Sequence, residues 1–497
     1  MPADIAPSQS SQPSQSADFR AAIWGLLVLS AVLRMLAICR PLVGNFATKN
    51  IVYAMIARNW AEGRASLWYP TLDCLVGGHR SLHMLEFPIS AYFTGWLWKT
   101  LGGPLDAWGR ATSAAFSVAS VAVIYTFVRR RHGPVAGCGA ALALALAPVS
   151  VIYGQSFMLE ASLVFFTLAT FAALDRWLDE KKMLWLAIAG LCLGLLLLTK
   201  IYMAVVLLPL GVMIWQGNVS RRGHWAAGLT VAVLACLPAA LWYVHAYQVA
   251  APGSPMSTRV FYSVRDSATA HCPPHPLLRS ADFYRRLLDD LSGVVLTPVG
   301  FVLLLTGLLN RSWRRYLPWL VAVAVLIALL PRKFHEMNYY WLAVLPPLCI
   351  LVGLGWQVVV ERFGLSRLAT LAVMFIALVF SLRFALHPVT RIAKEDRAVV
   401  AAGRAVERRT ANEEPVITLH GTSIDLLYYC RRPGWGVDPD GPALDTALSE
   451  CVHQGAHYLV IAGSESETAV DHRWHGWKPV ERGPGYCIYA LASWPAK

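Results

Sequence analysis

The sequence predicts an all-α polytopic membrane protein of about eleven transmembrane helices, with a small C-terminal α/β domain outside the cytoplasm. Composition is the first observation behind this. Of 497 residues, 56% are hydrophobic and 15% charged, with a mean hydropathy of +0.48, too apolar for an ordinary soluble domain of that length. The second is a series of eleven apolar runs near the roughly 20 residues a span requires: 21–39, 107–128, 134–153, 158–177, 183–199, 201–216, 224–246, 293–310, 316–331, 339–360 and 367–386. The third is the placing of basic residues. Arg129-Arg130-Arg131, Lys181-Lys182, Arg221-Arg222 and Arg311 through Arg315 stand in short loops between consecutive runs and fall on one side, which the positive-inside rule makes cytoplasmic.

That topology absorbs most of the formal net charge of +13, so the basic balance does not point to nucleic acid. Nineteen tryptophans suit a chain with many bilayer interfaces. Residues 1–20 are the N-terminal cytoplasmic segment; its Ser, Gln and Pro cannot bury a core and predict disorder. The first run contains Arg34 and is too long for a signal-peptide core, so it reads as an uncleaved helix. Residues 21–387 form the transmembrane domain. Within the first outer loop, 40–106, Pro88 to Leu101 is apolar but at fourteen residues spans only about 21 Å, short of a roughly 30 Å hydrocarbon core, and reads as a juxtamembrane helix.

Tyr53 to Trp60 has a helical pattern expected to lie on the surface. Residues 247–292, with Pro252, Pro255 and Cys272 to Pro276, read as a loop with little regular structure. Residues 388–497 alternate a basic helical stretch from Lys394, apolar runs 416–419 and 458–462, and a helix-like 444–454, the pattern of a small α/β domain. No cysteine spacing suits zinc. Cys74, Cys272, Cys430, Cys451 and Cys487 fall in outer segments, where one or two disulfides are expected.

Polar residues at span ends facing one compartment mark a site. Here they converge on the outer face: Lys49, Asn50, Arg58, Asp73, Glu86, Gln155, Glu160, Lys200 and the run Arg332 to Tyr340. Lys200 sits between two spans with almost no loop, so it either snorkels or enters a polar cavity. Arg332, Lys333 and His335 oppose the orientation rule, which binding an anion would justify. Glu86 and Glu160 each start an apolar helix. They either cap its dipole or serve acid/base work on a hydroxyl or the orientation of a metal or sugar. No cofactor is demanded, and a divalent cation is the one such a pair of acids could hold.

Phe46 to Trp60 resembles the first-loop motif of bacterial multispanning polyprenyl-phosphate-sugar glycosyltransferases, the C-type superfamily that includes protein O-mannosyltransferases and aminoarabinose transferases. The resemblance continues through Tyr69 to Asp73, Leu85 to Pro88, Gly109-Arg110, Tyr153 to Glu160, Leu198 to Lys200, and His335 to Tyr340 with Pro346-Pro347, covering most of residues 20–360. It implies the C-type fold and transfer of a sugar from a polyprenyl-phosphate carrier to an envelope lipid, glycan or protein acceptor on the periplasmic side of the inner membrane. It also implies that Glu86 and Glu160, with Asp73 as a further candidate acid, serve catalysis. Lys49, Arg58, Lys200, Arg332, Lys333 and His335 would hold the carrier phosphate, and Tyr339 and Tyr340 would flank the sugar or prenyl chain.

The chain departs from many relatives in reading Lys49-Asn50 where they carry an acidic pair. An ammonium is no general base at neutral pH, so Lys49 reads as a phosphate ligand and the base falls to Glu86, Glu160, Asp73 or His335. A lipid-linked-sugar flippase, a diverged inactive member and a membrane-anchored binding module are the alternatives. A flippase would place broken helices and charge near the midplane, whereas the charges here gather at outer span ends.

Overall fold

The computed structural model describes residues 13–44, 47–217, 221–269, 275–364, 366–421, 423–463 and 478–491. The apolar runs are largely helical; α9 and α16 leave wide apolar faces that only lipid would cover, while α6 is buried nearly all round. Helix α1 is Pro13–Met35. In the first loop come α2 Ala47–Ala61 and α3 Ile89–Leu101, then α4 Leu105–Leu146, α5 Pro148–Tyr153, α6 Glu160–Glu180 and α7 Met183–Thr199. A short 3-10 turn precedes α8 Leu207–Gln216. The chain continues with α9 Arg221–Val249, α10 Val264–Thr269, α11 Ala281–Asp290, α12 Thr297–Gly307, α13 Leu317–Leu329, α14 Pro331–Glu336, α15 Leu345–Phe363 and α16 Arg367–Thr390. The tail adds α17 Lys394–Arg409, α18 Asp425–Cys430 and α19 Leu444–His453.

Six helical stretches among the described residues are long and apolar enough to cross a bilayer, seven if a pair bent by 109° across residue 296 counts as one. Eleven separate spans are therefore not confirmed. Runs 107–128 and 134–153 share the 42 residues of α4, broken at Gly133 with φ 87 just before Pro134. Run 183–199 makes a helix of only 17 residues, and run 201–216 is part 3-10 turn. Small residues let two helices touch: a Cβ on Gly355 would stand 1.8 Å from the Leu303 carbonyl and one on Gly307 2.2 Å from that of Leu351, so α12 and α15 meet backbone to backbone. α3, with 13 residues and exposed Phe93, Trp96 and Leu101, is a surface helix too short to span. α1 begins at Pro13, so residues 13–20 are helical, and residues 1–12 of the expected disordered segment lie outside the described residues.

The strands form a single eight-stranded sheet in the order β3-β2-β1-β5-β4-β6-β8-β7. β1 Thr71–Val76 and β2 His79–Met84 are an antiparallel hairpin in the first loop, and β3 Val260–Ser263 comes from the second. The tail supplies β4 Val416–Leu419, β5 Gly434–Val437, β6 Tyr458–Ala462, β7 Glu481–Gly483 and β8 Tyr486–Ala490. Its parallel core is β5-β4-β6, joined to the hairpin only at Cys74 opposite Gly434. The tail is thus the α/β unit the alternation predicts, but its sheet runs on into both loops. The second loop is more regular than expected, with β3, α10 and α11. Cys74, Cys430, Cys451 and Cys487 are buried and unbonded, which corrects the expected disulfides among these four; Cys272 lies outside the described residues.

Arg34 explains how the bundle positions the loop before α6. Pro148 has no N–H, so the carbonyl of Leu144 loses its helical donor, and the helix breaks there. The fully buried Arg34 side chain takes the freed carbonyls, with Nη2 donating to Leu144 O at 3.4 Å and Nη1 to Ala145 O at 3.2 Å. Nε and Nη2 donate to the hydroxyls of Ser117 (2.5 Å) and Ser150 (2.7 Å). A guanidinium with five donors is suited to a helix end where no water reaches.

Candidate active site

α2 corrects a sequence expectation: Ile51 to Ala57 are buried on every face. The segment is apolar all round, and α3, α4, β1 and α18 enclose it. Burial fixes its N-terminal turn, and with it Lys49, at the sheet end of the bundle. Glu160 opens α6, where its carboxylate also complements the helix dipole. Glu86 is held from both sides: Phe87 N donates to Leu198 O at 3.0 Å, and Trp242 Nε1 donates to Leu85 O at 2.9 Å. That anchors the Glu86 turn to the end of α7, where Lys200 follows in extended conformation.

These four side chains form a row. Lys49 Nζ is 2.5 Å from Glu160 Oε1, Lys200 Nζ is 2.5 Å from Glu86 Oε1 and 3.9 Å from Glu160 Oε1. Tyr53 donates its hydroxyl to Glu86 Oε1 at 2.6 Å, and His83 Nε2 stands 3.7 Å from Glu86 Oε2. The second Glu160 oxygen, Oε2, is buried and accepts no hydrogen bond from the described residues. Lys200 therefore turns inward and does not snorkel.

Burial alone would raise the Glu86 carboxyl, but the Lys200 ammonium, helped by His83 and Lys49, outweighs it and holds the acid well below the usual carboxylate range. Burial lowers His83 to about 4, so its imidazole is neutral at pH 7. The Lys49 ammonium lies 4.0 Å from the centre of the Tyr339 ring, which packs edge-on against Tyr153 and beside Tyr340.

A cavity of about 880 Å³ opens onto the Glu86–Lys200 end of the row. Its walls are mostly apolar, from Ile201, Tyr202, Ala240, Tyr243, Val244, Ala251, Leu330 and Tyr340, and its cations are Lys200 and Arg265. The Arg265 guanidinium stacks 3.7 Å from the Tyr247 ring and donates to the Tyr247 carbonyl. Sequence reasoning missed Arg265 because it stands in the segment read as an irregular loop; the Val260 to Val264 alternation before it was the available signal.

The remaining expected residues are elsewhere or at the margin. Asp73 and Arg58 do not join the row. Arg58 Nη2 donates to Asp73 Oδ2 at 2.6 Å, Arg80 Nε is 3.3 Å from Asp73 Oδ1, and Arg58 also donates to Tyr428 O at 3.0 Å and stacks on its ring. This placement gives no support to their reading as a catalytic acid and a phosphate ligand: Asp73 is shared by Arg58 and Arg80, and Arg58 ties α2 to the hairpin and to the tail.

Arg332 is exposed and paired with Glu336 at 2.8 Å, and His335 packs near Phe283; neither lines the cavity. Lys333 is half-buried, and burial, then Arg332, Lys49 and Lys200, depress its pKa against the pull of Glu336, so it feels the row without touching it.

A divalent cation does not fit as the site stands. Among the described residues no three His, Cys, Asp or Glu side chains converge, and each carboxylate of the row already faces an ammonium.

The family model described as dolichyl-phosphate-mannose-protein mannosyltransferase matches residues 87–242. ArnT from Cupriavidus metallidurans, solved bound to undecaprenyl phosphate, superposes with a TM-score of 0.61 at 14% identity over 97% of this chain and 99% of that one. The chain has the C-type glycosyltransferase fold. The archaeal oligosaccharyltransferase AglB from Archaeoglobus fulgidus, in complex with an inhibitory peptide and a dolichol-phosphate, superposes at TM-score 0.56 and 12% identity, over 93% of this chain and 71% of that one. The mycobacterial arabinofuranosyltransferase AftD does so at 0.53 and 16%, over 95% and 41%. No curated protein sequence matches the chain. At these identities the likeness is one of fold.

Proposed function

We propose that this protein is a membrane glycosyltransferase that moves a monosaccharide from a polyprenyl-phosphate carrier to an acceptor hydroxyl. The observation that carries the reading is the opening of a large apolar groove directly onto paired ammonium and carboxylate groups, one of which keeps a bare buried oxygen. An isoprenoid chain suits the groove, and Lys200 and Arg265 meet its phosphate. The solved complexes of ArnT with undecaprenyl phosphate and of AglB with a dolichol-phosphate support a lipid-linked donor.

The chemistry follows from competition for the lysines. A phosphate bearing negative charge draws Lys200, and through the shared row Lys49, away from the carboxylates. Glu86 then loses the ammonium that keeps its pKa low, and Glu160 loses the cation paired with its Oε1. Glu160 Oε2 accepts the proton of the acceptor hydroxyl as that oxygen attacks the anomeric carbon. The bond from that carbon to the phosphate oxygen breaks, the electron pair leaves with the polyprenyl phosphate, and the cations stabilise the charge that develops there. Glu86, fixed by Tyr53, holds Lys200 in place between turnovers.

The Arg130, Arg131 and Arg315 side chains meet Asp175 and Asp179 beside the Gly133 break of α4 and the C-terminal end of α6, which supports placing the row on the opposite, periplasmic side of a bacterial inner membrane.

The test is mass spectrometry of lipid, glycan and protein fractions from a strain lacking the protein. One fraction is expected to lose a sugar mass that the wild type restores and Glu160→Gln does not. An unchanged profile, or full restoration by Glu160→Gln, would overturn the reading.

A further inference from the structure

A second cleft, of about 70 Å³, reaches the row through Asn50 and Tyr153, and none of the residues that line the groove lines it. Three arginines from three elements line it: Arg40 just beyond α1, Arg110 in α4 and Arg391 at the end of α16. We propose that this cleft binds an anionic group, a phosphate or carboxylate carried on a glycan acceptor, while Gln155 takes a hydroxyl of the same molecule. The proposal rests on the glycosyl-transfer reading and names the acceptor's chemistry.

Charge accounting carries it. Three guanidiniums around one small cleft repel one another, and no carboxylate is among the described residues that line it. Two carboxylates stand close by: Asp106, which acts on Arg110 while accepting the hydroxyls of Tyr428 and Tyr429, and Asp396, which accepts the Ala393 N–H with an oxygen 3.5 Å from a Cβ placed on Gly44. Against three guanidiniums they leave a net positive charge.

Arg110 clamps backbone, donating to the carbonyls of Arg40 at 3.1 Å, Pro41 at 3.0 Å and Gln155 at 3.5 Å. Among the described residues the side chains of Arg40 and Arg391 each make a single hydrogen bond, to Val389 O and to His387 Nε2, both at 3.3 Å. A guanidinium has five N–H donors, so most of theirs remain for a ligand. Basic residues at this end of the bundle also run against the orientation rule, and an oxyanion is the partner that bidentate arginine fits best.

Gln155 supplies an independent pointer. Its side chain is 1% exposed, its Nε2 donates to Val151 O at 3.1 Å, and its Oε1 has no partner among the described residues. An acceptor atom left bare in a cleft wall, beside three cations, matches a molecule that carries both an anion and a hydroxyl. The cleft also shares walls with the row. Tyr153 lines it and packs 5.9 Å from the Tyr339 ring under Lys49, and Asn50 lines it as the residue after Lys49. A cavity holds a water at roughly 10–15 Å³, so this one accommodates one phosphate or carboxylate, leaving the rest of the acceptor to extend toward Glu160.

The test uses the full-length protein in phosphatidylcholine nanodiscs, titrated with glucose 1-phosphate, glucuronate and glucose, and separately with farnesyl phosphate. Either anionic sugar is expected to bind at least tenfold more tightly than glucose. Arg40→Gln with Arg391→Gln is expected to erase that preference and leave farnesyl phosphate affinity unchanged. Arg391→Gln alone, at an exposed residue, is expected to weaken it severalfold and covers the case in which the double variant does not fold.

No preference for the anions, or a preference untouched by the arginine variants and lost in Lys200→Met, would overturn the proposal. Loss of glucose 1-phosphate binding in phosphatidylglycerol nanodiscs would assign the cleft to a lipid headgroup and overturn the acceptor role. Failure of farnesyl phosphate to bind the wild type would break the donor reading and leave the cleft result standing.

Discussion

Two buried ion networks lie near the sheet end of this protein, and they differ in what they leave over. Around Asp73 both carboxylate oxygens are met by arginines, and the same arginines reach the tail through Tyr428 and Glu413. Around Glu160 one oxygen is met by Lys49 and the other by nothing among the described residues. Arg80 and Glu413 of the first network line an open cleft of about 810 Å³ shared with Arg64, His79 and Arg259, while the second network opens onto the mostly apolar groove. Both would look alike as charges in outer segments. Burial of charge therefore does not mark a site by itself; a buried charge with an unspent atom beside a cavity does.

Substitutions should separate the networks most clearly. Glu160→Gln is expected to lower the transfer rate by roughly 10²–10⁴-fold, the range for removal of a general base, with no fall in melting temperature. Asp73→Asn is expected to do the reverse. Leaving Arg58 buried without its partner costs about 3–5 kcal/mol, a drop visible in thermal melting, while folded molecules keep their turnover. If Asp73→Asn lost turnover without losing stability, the assignment of the two networks would be reversed.

Arg34 sharpens the comparison from a distance. Arg34→Met would leave the Leu144 and Ala145 carbonyls unbonded, costing about 1–3 kcal/mol each, and would loosen the loop that aims Glu160. Both melting temperature and transfer rate are expected to fall, a joint loss that neither network variant shows.

A smaller effect distinguishes the networks by pH. Burial raises the Asp73 carboxyl and Arg58 outweighs it, so its folded pKa lies below the ordinary carboxylate value. Such a group contributes stability above that ordinary value, near 4, and loses it as pH falls toward the folded pKa. Wild type is expected to lose stability below about pH 4 more steeply than Asp73→Asn; parallel acid profiles would contradict the pairing. Tyr53→Phe should be the mildest change. It removes one hydrogen bond to a charged group, worth roughly 1.5–3 kcal/mol, and is expected to slow transfer about tenfold or somewhat more, measured as initial rate.

Much of this fold is written in local pattern. The apolar runs become helices because hydrophobicity over 20 residues needs no partner to declare itself, and the basic loops mark one end of the bundle for the same reason. Lys49, Glu86, Glu160 and Lys200 were legible because charge next to apolar helix is conspicuous. What required the structure was pairing. β1, β2 and β3 are four to six residues long, and β3 and the tail strands lie far in sequence from the β1–β2 hairpin, so nothing local announces that they share a sheet. α2 reads as a surface helix from Arg58 and Asn59 at its end, and its apolar Ile51 to Ala57 are seen to be buried only once α3 and α18 cover them. Arg58 and Asp73 passed for site residues because their partners, Tyr428 and Arg80, are visible only after folding.

The most direct measurement is binding of a short-chain polyprenyl phosphate to the purified full-length protein, compared among wild type, Lys200→Met and Asp73→Asn at a temperature where all three are folded. If the row beside the groove receives the carrier, Lys200→Met weakens binding at least tenfold and Asp73→Asn leaves it unchanged. Equal affinity in wild type and Lys200→Met, or a loss confined to Asp73→Asn, would contradict it.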